Sequence, residues 1–482
     1  MADTVLMSVE QGFMTTGKRL IFAACIFALF ASLPAIGQTG GIPCNCTPDD
    51  VLIDIFNQAN LPAIAAQYDL IPAPVSSVGT PPTYRMRIDR TKTSRSPIEI
   101  VAAMAGDTRI AQKETNRKLS VVERDGLPWT LGRSWAIGRS WAIGSSSKGY
   151  NRQWFPGLIR LNQAHQVSTG TGVTVAVLDT GIDLQHPAFA GKLVNGYDFV
   201  DNDNDPSEVG VLRQNPTYGH GTHVAGIIAL TAPGARIMPI RVLDVNGESD
   251  LWRIKDAMIW ASQNGATIIN MSFGYPRDFT SQSNTFLNDL FNGCDDEIIP
   301  GQQLFPEFDD NRLLIVAGAG NGGEIGNGAD RIFPAAERGA LSTQTRDTEI
   351  DDNLLSVGAS TRLDRLAPFS TMANVLDRDI DRWVRVVAPG EDIVSAIPGG
   401  RYGLWSGTSM STPIVAAIAA MVRSANPTLD LVDLVERVEE SGLSWDCPLP
   451  SRGINMETAR VDAFCAVTNN QACFQPRTIC AE

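Results

Sequence analysis

Six short apolar runs punctuate residues 170–390 of this sequence, and stretches with helical spacing lie between several of them. The runs cover residues 174–178, 236–243, 266–271, 312–317, 354–357 and 385–388. Strands that are apolar throughout are typical of parallel sheets with both faces covered, and helices make the crossovers that such sheets require. The pattern therefore predicts an α/β fold in three layers, with a mostly parallel central sheet between layers of helices.

Polar residues follow three of these runs, where the carboxyl ends of the strands should lie. They are Asp179, the segment 270–274 and the segment 318–321. Ligand sites of open parallel sheets form at that edge. A carboxylate directly after a buried strand is costly to desolvate, so Asp179 needs a partner. Backbone amides alone are one possible partner, and a catalytic group is the other.

Two further segments supply groups that would use such a carboxylate. His220 stands in "YGHGTHVAGIIAL" and Ser409 in "WSGTSMSTPIVAAIAAMV", and in each a glycine turn leads into an apolar helix. A serine hydroxyl is a weak nucleophile that needs a base, and an imidazole base needs an acceptor that fixes its tautomer. Asp179, His220 and Ser409 therefore form a candidate catalytic triad.

The motifs "VAVLDTGID", "HGTHVAG" and "GTSMSTP" closely resemble those of the subtilisin-like serine proteases, and the resemblance runs from about Gln153 to about Val467. It implies a serine endopeptidase with the three-layer αβα subtilisin-like fold. In this family's roles Asp179 orients the histidine, His220 is the general base and acid, and Ser409 is the nucleophile. Asn321, in "LLIVAGAGNGG", matches the family's oxyanion asparagine, although a plain turn asparagine is the alternative.

The resemblance also implies a substrate site. "NMSFG" matches the family's edge strand, so the backbone of Ser272, Phe273 and Gly274 is expected to pair with an extended peptide. Gly318 and Gly320 should leave open the pocket for the residue before the scissile bond. We therefore expect broad cleavage with a preference for bulky or apolar side chains.

An acidic loop, "YDFVDNDNDPSE", resembles the calcium loop of thermitase-like members of the family. Asp198, Asp201, Asp203 and Asp205 offer oxygen ligands of the kind that calcium prefers. Structural calcium is thus expected here, with a solvated acidic turn as the alternative, and no cofactor is expected for catalysis. Reading His220 and His223 as ligands of a catalytic metal is a further alternative.

The N-terminus has the pattern of a secretory signal peptide over residues 1–37, with Lys18 and Arg19 ahead of an apolar run. It predicts a secreted protein, extracellular or periplasmic, with no membrane contact after removal of the signal. A retained membrane anchor is the alternative. In an exported protein Cys447, Cys465, Cys473 and Cys480 predict two disulfides near the C-terminus, and zinc ligation is the other possibility.

Residues 38–125 are expected to form a small α/β domain, with a strand at 83–89 and a helix at 96–106 behind a capping serine. It resembles the family's propeptides, which assist folding and inhibit the enzyme through their last strand. Residues 126–152, which repeat GRSWAI at 132–143, are interpreted as a processing linker that is cut between about Leu131 and Arg152. A catalytic domain over 153–467 and a cysteine-containing tail over 468–482 complete the predicted organisation.

The formal net charge of −14 argues against nucleic acid or an anionic membrane as a partner. Residues 81–152 hold 14 Lys and Arg against 6 Asp and Glu, which suits a basic propeptide docking on an acidic enzyme or simply a solvated basic stretch. The expected partners are protein or peptide substrates and its own propeptide, and we expect a monomer. A processing or transpeptidating protease and an inactive peptide-binding relative are the competing functions.

Overall fold

The computed structural model describes residues 45–79, 82–121, 142–211, 214–276, 313–322, 332–335, 353–371, 384–449 and 454–470. The predicted signal peptide, most of the predicted linker and the last residues of the tail lie outside them. Within the described ranges no helix has both the length and the apolar character needed to cross a bilayer. Cys46 and Cys465 are each disulfide-bonded.

The first described region is a small antiparallel sheet with two helices. Its strands, in the spatial order β4-β1-β3-β2, are β1 (Cys46–Ile55), β2 (Ser76–Val78), β3 (Thr83–Arg87) and β4 (Ile110–Val121). The helices are α1 (Leu61–Gln67) and α2 (Pro97–Ala103). Ser96 and Glu99 form a capping box at the start of α2, which satisfies amide groups that a helix end leaves open. Val51, Ile53 and Ile64 lie in a separate apolar core. The predicted strand at 83–89 and helix at 96–106 correspond to β3 and α2.

The second described region is built on a nine-stranded sheet. Its strands and those of two smaller ladders are β5 (Ala142–Ser145), β6 (Thr174–Asp179), β7 (Tyr197–Asp198), β8 (Arg236–Arg241), β9 (Glu248–Asp250), β10 (Ile268–Met271), β11 (Phe273–Pro276), β12 (Leu314–Gly318), β13 (Ile332–Phe333), β14 (Leu354–Ser360), β15 (Val386–Pro389), β16 (Ile393–Ile397), β17 (Arg401–Trp405), β18 (Leu443–Leu449) and β19 (Ile454–Arg460). The large sheet has the order β18-β19-β15-β14-β12-β10-β6-β8-β7. Only the β18–β19 pair is antiparallel, which confirms the predicted, mostly parallel sheet.

Helices cover both faces of this sheet. They are α3 (Ser147–Asn151), α4 (Phe155–Leu158), α5 (Leu161–Ala164), α6 (His220–Thr231), α7 (Leu251–Gln263), α8 (Thr408–Ala425), α9 (Leu431–Glu439) and α10 (Ala463–Thr468). Val175 and Val177 of β6 pack in one core with α6 and α8, whereas Ala176 and Leu178 pack in the other with α7. Alternation of strand side chains between two apolar cores is why the strand runs are apolar throughout.

The large region begins earlier than the sequence predicts. β5 pairs with β17, and Tyr150 of α3 is buried with its hydroxyl donating to the carbonyl oxygen of Gly226, 2.5 Å away. Residues that the sequence assigned to the linker, β5 and α3, therefore pack with the large region. The sequence missed this because a four-residue strand beside a glycine- and serine-rich stretch resembles a linker in composition.

The strand β4 joins the two regions. Its Ser120 and Val121 pair antiparallel with Gly274 and Phe273 of β11, and β9 pairs with the same strand. Leu119 and Val121 are buried in the core that α7 and the large sheet form. The last described residues of the small region thus continue the ladder of the large one.

One polar contact between the regions has the reverse of the expected charge arrangement. Lys255 of α7 is fully buried, donates to Thr83 Oγ1 at 2.8 Å, and lies 4.0 Å from a carboxylate oxygen of Asp54. Here the large region supplies the cation and the small region the carboxylate. The described interface thus combines backbone pairing and apolar burial with a polar contact in which the cation belongs to the large region.

Candidate active site

Asp179 and His220 form a buried hydrogen-bonded pair at the carboxyl edge of the sheet. Asp179 ends β6, His220 opens α6, and Asp179 Oδ1 lies 2.7 Å from His220 Nδ1. The same oxygen accepts the backbone N–H of Thr180 at 2.7 Å, and neither residue is exposed. A carboxylate in this position makes Nδ1 the protonated nitrogen, so Nε2 is left as the base.

Glycine lets α6 approach β6 closely enough for this pair. Gly219, which precedes the helix, has φ of 89°, in the left-handed region that favours glycine. A Cβ at Gly221 would overlap the carbonyl oxygen of Gly181 and lie 3.0 Å from Cβ of Asp179. Gly219 and Gly221 therefore allow α6 to approach β6 closely enough for the acid and the base to meet.

Ser409 reaches the same edge from α8, where it is the second helical residue. Its hydroxyl donates to the carbonyl oxygen of Ser272 at 3.0 Å, and the Ser272 hydroxyl donates to the carbonyl oxygen of Ser409 at 3.2 Å. Ser272 directly follows β10, which is the neighbour of β6 in the sheet. Trp405, four residues before Ser409, packs its ring edge-on to the His220 imidazole at 5.3 Å between centroids. The three predicted triad residues therefore gather at one edge.

Asn321 is held beside the start of α8. Its side-chain oxygen accepts the Thr408 backbone N–H at 2.9 Å and the Thr408 hydroxyl at 3.2 Å. These two hydrogen bonds fix the orientation of the amide, whose nitrogen is the donor group of this side chain. An amide donor next to the N-terminal end of α8 suits a developing oxyanion.

β4 pairs with the predicted substrate-binding strand through Phe273 and Gly274. The third residue of that segment, Ser272, is hydrogen-bonded to Ser409. Gly318 also has a packing role, because a Cβ there would lie 3.1 Å from Thr412 Oγ1 and would push β12 away from α8. Gly320 has φ of 96° and donates its N–H to Thr408 Oγ1 at 3.1 Å, which orders the turn before Asn321.

His223 is a buried helix residue and not a partner of His220 in metal binding. Its Nε2 lies 3.3 Å from the carbonyl oxygen of Gly403, and its ring packs against Trp405. Burial, with the nearby His220 as a second cause, lowers the pKa of His223 to about 3. His223 is therefore neutral at neutral pH.

The acidic loop does not fit the predicted calcium site. Arg241 of β8 is buried and donates through Nη1 to Asp198 at 2.6 Å and to Asp201 at 2.5 Å. The carboxylates of Asp203 and Asp205 accept backbone or hydroxyl groups within their own turn. Among the described residues no three His, Cys, Asp or Glu side chains are grouped to hold a metal ion. The guanidinium supplies the positive charge that calcium was expected to supply.

A sequence model of the subtilase family matches residues 170–457, the segment that carries all of these groups. The chain belongs to the subtilase family. It is 34% identical over 333 residues to a thermophilic serine proteinase of Bacillus sp. (strain AK1), covering 67% of this chain and 68% of the relative. It is 31% identical over 310 residues to thermitase of Thermoactinomyces vulgaris, covering 61% of this chain and 92% of thermitase.

The fold has solved counterparts. Fervidolysin from Fervidobacterium pennivorans matches with a TM-score of 0.59 at 19% identity, covering 88% of this chain and 62% of fervidolysin. At that identity the likeness concerns the fold alone. Together with the family match it confirms the three-layer α/β fold of a subtilase. The family match and the relatives named above show a serine peptidase that acts on protein substrates.

Sequence reasoning missed three neighbours of this subtilase site. Glu208 binds Thr180 and the first turn of α6, Trp405 packs on His220, and Arg241 neutralises the acidic loop. Each acts across more than ten residues of sequence on a partner that no local pattern marks. Neither the residues before Trp405 nor the segment "RVLD", which contains Arg241, matches a motif that would predict these contacts.

Replacing Arg241 by Met should destabilise the protein, because Asp198 would remain buried without its cation. Removal of one partner of a buried ion pair costs about 3–5 kcal/mol of unfolding free energy. The measurement is urea-induced unfolding in the Ser409→Ala background, which prevents self-digestion. Arg236→Met, which removes an exposed guanidinium from the same strand, is the control and should cost less than about 0.5 kcal/mol. Equal stability of the two variants would refute the assigned role.

Proposed function

We propose that this subtilase is a secreted endopeptidase that is made as a zymogen and forms an acyl-enzyme at Ser409. The observation that carries the proposal is the buried Asp179–His220 pair, 2.7 Å apart, at the edge where Ser409 opens α8. Burial of a carboxylate is costly, and a buried carboxylate beside an imidazole is most useful when the imidazole becomes protonated during the reaction. General-base activation of a serine is the reaction that uses it.

In the proposed reaction His220 Nε2 takes the proton of Ser409 as the hydroxyl oxygen attacks the peptide carbonyl. Asp179 stabilises the resulting imidazolium and holds its tautomer. The side-chain amide of Asn321 and the backbone N–H of Ser409 stabilise the oxyanion of the tetrahedral intermediate. His220 then gives its proton to the leaving amine, and water, activated by the same histidine, hydrolyses the acyl-enzyme. The hydroxyl must first leave the Ser272 carbonyl, which requires only rotation about its Cα–Cβ bond.

We propose that a substrate binds where β4 lies, between β9 and β11. A peptide there gains affinity from backbone hydrogen bonds that are independent of its sequence. Leu119 and Val121 occupy this position with their side chains buried. They support a preference for apolar side chains upstream of the scissile bond, and otherwise broad cleavage.

The small domain is proposed to be an inhibitory propeptide, because β4 fills the proposed substrate position. The register also suggests where it is first cut. Ser120 faces Gly274 and Val121 faces Phe273, so the last described residues of β4 run toward Ser272, whose carbonyl oxygen accepts the Ser409 hydroxyl. We therefore place the first cut at the Val122–Glu123 bond, upstream of the duplicated hexapeptide. Both residues lie outside the described ranges, and the sequence alone favoured a later position.

A fluorophosphonate probe tests the proposed nucleophile. The processed wild-type protein should be labelled once, at Ser409, and should lose its activity on casein in proportion to labelling. Ser409→Ala should take up no label, and Ser411→Ala, two residues along the same helix, should label normally. Labelling of Ser409→Ala, or a folded wild type that neither labels nor cleaves, would exclude a Ser409 peptidase and favour a peptide-binding relative.

The first cut is tested by mass spectrometry of the fragment released early in maturation. Its C-terminus should be Val122, because later trimming of the enzyme does not alter that end. The Ser409→Ala zymogen should stay intact under the same conditions. A wild-type fragment that extends into residues 132–143, with none ending near Val122, would contradict the register argument. Cleavage of Ser409→Ala at the same bond would show that another protease makes the cut.

A further inference from the structure

Glu208 lies beside the triad without belonging to it. It is half-buried in the loop between β7 and α6. One carboxylate oxygen accepts the Thr180 hydroxyl at 2.7 Å, and the other accepts the Thr222 hydroxyl at 2.9 Å and the Thr222 backbone N–H at 3.2 Å. A backbone hydrogen bond from Gly219 also reaches it. This one side chain therefore binds both segments that carry the acid and the base.

The two threonines pass this contact on to the dyad. Thr180 donates its backbone N–H to Asp179, and its hydroxyl accepts the N–H of Gly221 at 3.0 Å. The Thr222 hydroxyl accepts the N–H of Asp183 at 3.0 Å. Each threonine hydroxyl thus accepts a hydrogen bond from one backbone amide and donates its own hydrogen bond to the Glu208 carboxylate. An acceptor-only group with two oxygens is what this arrangement needs.

Glu208 also serves the helix that presents His220. Gly219 stands at the N-cap of α6 and has no side chain to bind the free amides of the first turn. The carboxylate of Glu208 meets the amides of Gly219 and Thr222 there, where the helix dipole favours negative charge. The orientation of the first helical residue, His220, therefore depends on a group twelve residues earlier in the chain.

We propose that Glu208 is a positioning residue of the peptidase site, which holds the Asp179–His220 pair in register through Thr180 and Thr222. It touches neither substrate nor reacting atoms. The inference rests on the proposed peptidase function, because it concerns the geometry of the same histidine.

Ionisation of Glu208 makes the proposal testable by pH. Burial raises the pKa of Glu208 to about 7, and its hydrogen bonds from Thr180, Gly219 and Thr222 oppose that rise only in part. The titratable groups that face it are Asp179 and Tyr218. As pH falls through about 7 the carboxyl takes up a proton, becomes a donor, and loses its ability to accept from both threonines.

The decisive variant is Glu208→Gln, which keeps the shape of the side chain but replaces one carboxylate oxygen by an NH2 group. That group cannot accept a hydrogen bond from the donors it faces. We expect kcat/KM at pH 8.5 to fall roughly 10- to 100-fold, mostly in kcat, which is the size of effect that misplacement of a catalytic group produces. The ratio of the wild-type kcat/KM to that of the variant should approach unity below about pH 6. At that pH the wild-type carboxyl is protonated and, like the glutamine, cannot accept from both threonines. Glu436→Gln, which removes one negative charge from the exposed face of α9, should leave activity unchanged.

Thr180 supplies a second test should Glu208→Gln fold poorly. Thr180→Ser keeps the hydroxyl and should retain near-wild-type activity, whereas Thr180→Val should resemble Glu208→Gln. The double variant should lose little more than either single one, because both remove the same link. Fluorophosphonate titration gives the folded, active fraction of each preparation.

Two results would overturn the proposal. One is a Glu208→Gln enzyme within twofold of wild type at pH 8.5, and the other is a wild-type-to-variant ratio that does not change between pH 5.5 and 8.5. A constant ratio would assign Glu208 a structural role only. Wild-type protein that neither labels nor cleaves would instead refute the peptidase function itself, so the two failures are distinguishable.

Discussion

The hydrogen bond between Asp179 and His220 is the contact on which this structure's function depends. Both side chains are removed from water, which for a carboxylate is costly unless a charged or donating partner compensates. Here the imidazole N–H and the Thr180 amide both bind the same carboxylate oxygen. Burial keeps the pair aligned and strengthens its electrostatic interaction, because water cannot screen it.

His220 and Ser409 lie 41 and 230 positions after Asp179 in the sequence, and the parallel sheet explains how the three come to share one site. Every parallel strand ends at the same edge, so Asp179 after β6 and Ser272 after β10 are neighbours without any specific loop design. The helices α6 and α8 begin at that edge and present His220 and Ser409 in their first turns. The fold thus fixes where the chemistry occurs, and glycines at the junctions fix how closely the elements approach.

The acidic groups near the site show two ways of handling buried negative charge. Asp198 is neutralised by Arg241, whereas Glu208 is bound only by hydroxyl and amide donors in the contacts described above. In the first arrangement the compensating group is a guanidinium, whose pKa is raised further by Asp201 and Asp198 and which therefore keeps its charge. The second is sensitive to pH, since a carboxyl without a cation becomes neutral more easily when buried. This difference separates a structural contact from one that can influence the histidine.

Local sequence patterns correctly predicted the parallel sheet and the strand and helix of the small domain, and they marked Asp179, His220 and Ser409 as a candidate triad. Apolar strands and glycine-flanked junctions are local signals, and the structure brings these residues to one edge. The roles of Glu208 and Arg241 were not predicted, because they arise from contacts between segments that are distant in sequence. The acidic loop looked like a calcium site for the same reason, since its cation comes from β8. The start of the large region was misplaced because β5 gains its stability from pairing with β17.

The central claim is that the buried carboxylate makes His220 a competent base, and Asp179→Asn tests it most directly. The amide keeps the size of the carboxylate but removes its charge and offers a donor to Nδ1, which favours the wrong tautomer. The measurement is the rate of acylation by a peptide ester at pH 8 in protein matured beforehand with wild-type enzyme, which is then removed. The account predicts a fall of about 10⁴-fold with the fold intact by circular dichroism. A folded variant that acylates within tenfold of wild type would contradict it.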